Sequence, residues 1–255
     1  MADYLRLRQI CLAAPSLAPV IADIEAIFGV AVCYRDGNVA KYGLENALIP
    51  IGTGFLEVVA PTQDNTAAGR FIERTRGHGG YMAIFQASDV RRRQAHAEAI
   101  GVRIAHVIDR DTYQNAQLHP RDCRAAFIEF GHSVGGDERM GTWWPAGPDW
   151  QKFVHTERTK RLVGIEIESP DARNLAAHWS DIIETPLKDD GGDPVLTFED
   201  GTVRFVKGDT ECLGTLVVQV SDVADVLAAA QARGYAVKDG AFHLGGVFFR
   251  PVASA

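Results

Sequence analysis

Residues 85–102 read FQASDVRRRQAHAEAIGV, and residues 218–235 read VQVSDVADVLAAAQARGY. Each begins as an apolar strand, passes through Ser-Asp-Val, continues as an alanine-rich helix and closes at a glycine. Gly101 lies twelve positions after Asp89, and Gly234 lies twelve positions after Asp222. A serine or aspartate just before a helix accepts hydrogen bonds from its first free amides, so Ser88 or Asp89, and Ser221 or Asp222, read as N-caps. Gly101 and Gly234 fit the left-handed position just past a helix end. Such a match at two separated places signals an internal repeat.

Working outward, the same outline occurs twice more. Residues 5–14 alternate as a strand, Ser16 stands at a helix start, and Leu17, Val20, Ile21, Ile24, Ile27 and Phe28 form one apolar stripe that Gly29 closes. Residues 162–168 (LVGIEIE) form a strand, after which Ser169-Pro170-Asp171 opens a helix with Pro170 at its first position. The stripe of that helix is Leu175, Ala176, Trp179, Ile182 and Ile183. Short strand-like runs broken by Gly, Asp or Pro follow each helix. They cover 30–35, 45–51 and 54–60; 102–108, 113–118 and 125–130; 194–199 and 202–207; and 235–238, 241–244 and 246–252.

The order is therefore βαβββ, four times, starting near residues 5, 80, 161 and 212. One amphipathic helix for every three or four strands predicts an α+β fold: two paired, curved mixed sheets with helices on the outer face. Alternate strand residues then line the opposite, concave face, where a ligand would sit. No G-x-G-x-x-G follows a strand, which excludes a dinucleotide-binding Rossmann unit. The chain divides into 1–135, a linker at 136–160, and 161–255. Trp143, Trp144 and Trp150 make that linker too apolar for a free tether, and their rings are expected to pack between the halves, with a lid over the cleft as the alternative.

Composition narrows the classes further. The chain has 255 residues and a formal charge of −7, which supplies no basic footprint for nucleic acid or an anionic membrane. The one basic run, Arg91-Arg92-Arg93, lies within a helical pattern and reads as a solvated face. Cys11, Cys33, Cys123 and Cys212 show no C-x-x-C spacing and read as core thiols of a reducing, cytoplasmic setting. The N-terminal apolar stretch is cut by Arg6, Arg8 and Gln9, so it does not read as a secretion signal. No window reaches 18 consecutive apolar residues, so no membrane span is expected.

Residues 7–14 (LRQICLAA), 42–60 (YGLENALIPIGTGFLEVVA) and 81–90 (YMAIFQASDV) resemble the glyoxalase-like branch of the vicinal-oxygen-chelate superfamily. The turn LHPRDCRAAFIEF at 118–130 resembles the hairpin before the last strand of such units. The likeness is carried almost wholly by the first half; 161–255 matches only in its βαβββ pattern. In that superfamily metal ligands sit on the first and last strands of paired units. Carried over, the resemblance implies Gln9, Glu57 and Glu129 as ligands of a divalent ion (Zn, Ni, Mn or Fe). Met82 stands where a histidine is usual, and a thioether is a poor ligand for such ions. The intervals of 48, 25 and 47 residues between these four positions have the long–short–long form that two successive units give.

Chemically, an ion with open positions would chelate neighbouring substrate oxygens, and a carboxylate made more basic by apolar surroundings would move a proton. Glu129 is the expected base and Glu57 its partner, with Phe127 and Phe55 on their respective strand faces. Should the two carboxylates face each other without metal, one would hold a proton, which also makes an acid–base site. Asn46, Phe55, Met82 and Phe127 are the candidate substrate contacts, together with His119 and Arg121 for an anionic group at the cleft mouth. The remaining histidines show no mutual spacing of a metal site, and His78 lies in a glycine-rich loop. The resemblance thus implies a lyase or isomerase acting on a small oxygenated molecule, with no nucleic-acid or membrane partner. The alternative is a protein of the bleomycin-resistance type that sequesters an aromatic compound. A ring-cleaving dioxygenase would need two histidines and a carboxylate, which this sequence does not supply. A homodimer is one assembly left open.

Overall fold

The computed structural model describes residues 3–253. The first half runs β1 (Leu5–Ala13), α1 (Leu17–Phe28), β2 (Leu44–Ile51), β3 (Gly54–Pro61), α2 (Ala67–Thr75), β4 (Met82–Ala87), α3 (Val90–Ala99), β5 (Ile104–Asp109), β6 (Tyr113–Leu118), α4 (Pro120–Cys123) and β7 (Phe127–Ser133). The second runs β8 (Thr159–Ser169), α5 (Ala172–Ile183), β9 (Leu187–Asp190), β10 (Asp193–Thr197), β11 (Thr202–Lys207), β12 (Cys212–Val220), α6 (Val223–Ala232), β13 (Val237–Lys238), β14 (Ala241–Leu244) and β15 (Val247–Ala253). Two mixed sheets result, in the orders β2-β3-β1-β4-β7-β6-β5 and β13-β14-β15-β12-β8-β11-β10-β9. The α+β class and the fourfold repeat are as the sequence predicts.

One pairing recurs in every module. The first strand lies parallel to the last: β1 with β3, β4 with β7, β8 with β11, and β12 with β15. Parallel neighbours need a long crossover, and the module helix supplies it. The caps that terminate those helices are where they were expected. Asp89 accepts from the Arg92 amide and Asp222 from the Asp225 amide. Gly29, Gly101 and Gly234 all have positive φ at the helix exits.

The chain forms two compact units, each drawing on both halves of the sequence. Among the described residues one comprises 3–8, 82–144 and 164–213; the other comprises 9–81, 145–163 and 214–253. In the first, α3 packs on α5: Arg93, 5% exposed, donates to the Ile183 carbonyl at 2.8 Å and the Glu184 carboxylate at 3.0 Å. Here the arginine triplet departs from the solvated face expected of it. Arg91 is exposed on Asp109, Arg92 reaches Glu184, and only burial against a second helix gives Arg93 a fixed partner. In the second unit α1 packs on α6, with Asp23 bonded to Arg233 and Tyr235. Phe28 meets Phe242 and Phe249 beneath them.

Several local readings are corrected. Residues 30–35 form no strand, only a bridge from Tyr34 to Leu48, because a 3-10 turn at Gly37–Tyr42, capped by Asp36, carries the chain away. The helix expected to begin at Pro170 begins at Ala172, since the Asp171 carboxylate caps the Asn174 amide and so makes residue 171 the boundary. Helix α2 has no counterpart among the expected elements, as Gly69 inside a short polar run hides its inward residues Ala68 and Phe71. Trp143 and Trp150 are fully buried; Trp143 lies beside Arg8 and Tyr113, and Trp150 stands edge-on to Phe55.

Replacing either repeated cap tests the equivalence of the modules. Asp89→Ala and Asp222→Ala should each cost about 1 kcal/mol in urea unfolding, the usual worth of an N-cap carboxylate.

Candidate functional site

Within the second compact unit, parallel pairing of β1 and β3 sets Gln9 opposite Phe55 and Cys11 opposite Glu57. On the other side of β3, antiparallel β2 sets Leu48 opposite Glu57 and Asn46 opposite Val59. Side chains two residues apart on a strand share a face. Gln9, Cys11, Asn46 and Glu57 therefore project to the same side of the sheet, although they are up to 48 residues apart in sequence.

There they form one hydrogen-bonded group. The Gln9 amide (Nε2) donates to Glu57 Oε2 at 2.9 Å, and the Asn46 amide (Nδ2) donates to Glu57 Oε1 at 2.7 Å. Asn46 is held in that orientation because its own oxygen accepts from the Asp36 backbone amide at 2.8 Å. Gln9 and Asn46 are buried, whereas Glu57 is half-buried, so the carboxyl is ordered yet reachable. Burial pushes the Glu57 carboxyl above its ordinary range. Hydrogen bonds from Asn46, Cys11 and Gln9 oppose that rise, while the negative charge of Asp36 adds to it. A carboxyl with this balance is a stronger base than a free glutamate when ionised.

The first compact unit holds the other expected carboxylate. Glu129, 7% exposed on β7, accepts from the Tyr113 hydroxyl at 3.3 Å. The Tyr113 ring stacks on Trp144 at 5.1 Å and meets Trp143 edge-on at 6.1 Å. Gly131, two residues past Glu129, leaves room for this arrangement: a Cβ there would lie 3.0 Å from both Trp143 and the Tyr113 hydroxyl. Gln117 is paired with Glu129 across the β6–β7 ladder, and its amide donates to the Met82 sulfur at 3.6 Å. Met82 in turn sits opposite Phe127 in the β4–β7 ladder.

The structure thus gathers Gln9, Asn46 and Glu57 in one unit and Met82, Phe127 and Glu129 in the other. Phe55 is fully buried against Trp150. His119 is engaged in local structure: its ring caps α4, accepting from the Arg121 amide at 3.3 Å, and lies 3.3 Å from the Arg103 guanidinium. Arg121 is exposed. Cys11, Tyr113 and Gln117 escaped the sequence reading. Strand parity places Cys11 beside Gln9, but Tyr113 and Gln117 become visible only through the β6–β7 register.

The residues present do not fit a resident divalent ion. Each Glu57 oxygen accepts from a carboxamide, and Gln9 turns toward the carboxylate an amide nitrogen, which has no lone pair to offer a metal. The Met82 sulfur is a soft donor that accepts from Gln117. Among the described residues no three His, Cys, Asp or Glu side chains are grouped to hold an ion. The metal set Gln9, Glu57 and Glu129 implied by resemblance is replaced, at Gln9 and Glu57, by a carboxylate held between amides.

Glu57 also has a stability signature. A carboxyl whose folded pKa is raised favours the protonated form in the fold, so its contribution is complete at low pH and is lost as pH climbs through the raised value. Glu57→Gln should therefore gain thermal stability relative to wild type as pH climbs from the ordinary carboxyl value of 4.5 through the raised one. A melting series by differential scanning fluorimetry reads this directly, and a difference that shrinks with pH contradicts it.

The sequence profile of the glyoxalase-like domain family matches residues 10–183, more than half of the chain. Among curated proteins no sequence matches. Of solved structures, a hypothetical protein from Staphylococcus aureus superposes with a TM-score of 0.69 at 12% identity, covering 98% of this chain and 99% of its own. A variant of 4-hydroxymandelate synthase from Streptomyces coelicolor gives 0.65 at 14%, covering 92% and 76% respectively. Methylmalonyl-CoA epimerase from the same organism gives 0.46 at 23%, covering 51% of this chain and 97% of that one. At their identities the first two show a likeness of fold alone. With the family profile spanning strands and helices of three of the four modules, the chain belongs to the glyoxalase-like domain family of the vicinal-oxygen-chelate superfamily.

Proposed function

We propose that this protein is a lyase or isomerase of small oxygenated molecules, with Glu57 as its proton-transferring group. The observation that carries the reading is the Glu57 carboxyl, raised in pKa and clamped by Gln9 and Asn46 on a half-buried strand face. The ionised carboxylate takes a proton from carbon next to a carbonyl, and the C–H electron pair moves into the carbonyl to give an enolate. Returning that proton to a neighbouring position completes an isomerisation; expelling a leaving group completes an elimination. Gln9 and Asn46 keep both carboxylate oxygens aimed while the charge is consumed and restored. Glu129 with Tyr113 forms a second acid–base pair, built on the carboxylate that the family resemblance favours as base. No step here is assigned to a metal.

A second reading has its own support. Trp144 is only half-buried and stacks on Tyr113, an aromatic platform suited to a flat ligand. On that reading the chain sequesters an aromatic compound without turnover. Substrate partners in either case are small molecules. Among the described residues no helix is long and apolar enough to cross a membrane. All four cysteines are free thiols, which supports a reducing, cytoplasmic location.

Solvent-deuterium incorporation separates the readings even while the substrate is unidentified. A panel of 2-oxo acids, α-hydroxy ketones and acyl thioesters is incubated in D2O and followed by NMR. Exchange should be catalysed for at least one class, rise with pH through the raised Glu57 value, and fall about 10²–10⁴-fold in Glu57→Gln. Exchange that persists in Glu57→Gln removes the assignment, and tight aromatic binding with no exchange supports sequestration. Chelator treatment should leave the exchange rate unchanged; loss restored by Zn²⁺, Ni²⁺ or Mn²⁺ would overturn the metal-free account.

A further inference from the structure

Two histidines 165 residues apart in sequence meet in the second compact unit. His78 lies in the glycine-flanked segment before β4, and His243 lies on β14. Their ring centroids are 5.7 Å apart with planes inclined at 54°. The segments that carry them are locked together by backbone. The Gly79 amide donates to the Gly246 carbonyl at 2.7 Å, and a Cβ on Gly246 would lie 2.8 Å from the Gly77 carbonyl oxygen. The juxtaposition is therefore a product of tight loop docking, not of two exposed side chains drifting past each other.

The state of His243 is informative. Its Nε2 is shielded from solvent and has no hydrogen-bond partner in the protein. The ring is hydrogen-bonded to the Gly246 backbone, which by elimination engages Nδ1. That is the arrangement by which a backbone carbonyl fixes the tautomer of a metal-ligating histidine and leaves Nε2 as a bare lone pair. Burial lowers the His243 pKa, so the ring is neutral and able to coordinate at physiological pH. The edge of the ring packs against exposed Phe248, with centroids 5.3 Å apart. His78 is exposed, so its ring can turn about its own side-chain bonds while the backbone stays docked.

We infer that His78 and His243 form a two-histidine site for a borderline divalent cation, Zn²⁺, Ni²⁺ or Cu²⁺, with water completing the coordination. Metal–nitrogen bonds of about 2.0–2.1 Å place each imidazole centroid roughly 3.2 Å from the ion. Two such rings at tetrahedral to linear angles stand roughly 5.2–6.4 Å apart, a range that includes the observed separation. Imidazole is the ligand these ions prefer, and the hard cations Mg²⁺ and Ca²⁺ find no oxygen set here. The site is separate from the Glu57 group and does not depend on the proposed reaction. Bound metal would staple the 77–80 segment to the β14–β15 hairpin.

The test is Zn²⁺ titration of the untagged full chain by calorimetry, with melting curves on the same samples. One saturable site per chain is expected, with His78→Gln and His243→Gln each weakening it about tenfold or more. Zinc should raise Tm in wild type and in the control His155→Gln, but not in the two site variants. Binding should fade in acid as protons compete for the rings. Because His78 is exposed, His78→Gln keeps the fold, so unchanged zinc affinity in that variant overturns the assignment. So does the lack of saturable binding by the wild-type chain. Neither outcome bears on deuterium exchange at Glu57.

Discussion

Parallel pairing between the first and last strands of each βαβββ module is the constraint on which the rest depends. A parallel ladder cannot be closed by a tight turn, so each module must spend a helix and an intervening hairpin before its last strand returns. That return brings together residues almost fifty positions apart: Cys11 beside Glu57 in the first module, and Ile84 beside Glu129 in the second. The helix made necessary by the crossover then becomes the packing surface between modules, α1 against α6 and α3 against α5. Chain geometry thus creates both the core and the place where polar side chains can converge.

The Glu57 group shows how such a place stays folded while carrying a charge. A carboxylate on a largely buried strand face is costly unless it is hydrogen-bonded. Two carboxamides supply the bonds, and a backbone amide from Asp36 orients one of them. The result is a balance between desolvation, which raises the pKa, and donation, which lowers it, with desolvation prevailing. This balance can serve proton transfer with no metal charge. The same amides that stabilise the carboxylate face it with nitrogens, which have no lone pair to offer a cation.

The second half of the chain carries none of the expected ligands, yet it is not mere scaffold. Its last hairpin docks on the Gly77–Gly80 segment and presents His243 to His78. Its α5 receives Arg93 and, through Trp179 and His178, the carbonyls of Cys123 and Asp122 at the α4 turn. These contacts fix elements of the first half whose own sequence leaves them weakly specified, α4 being a single helical turn.

Much of the architecture was legible in the sequence. The Ser-Asp-Val caps, the glycine exits and the helical stripes are local signals, each set by a few neighbouring residues, and they located the four modules and their class. The resemblance to glyoxalase-like proteins pointed to Gln9 and Glu57 together. What those two side chains do to each other was not legible, because a carboxamide near a carboxylate reads equally as a co-ligand or as a hydrogen-bond donor until distances exist. Likewise Arg93 looked solvated and the histidines looked scattered, since burial and proximity across 90 or 165 residues leave no periodic trace. Local order is written in spacing along the chain; whether a polar group meets water, a partner or a metal is decided only when strands and helices from distant segments are brought into contact.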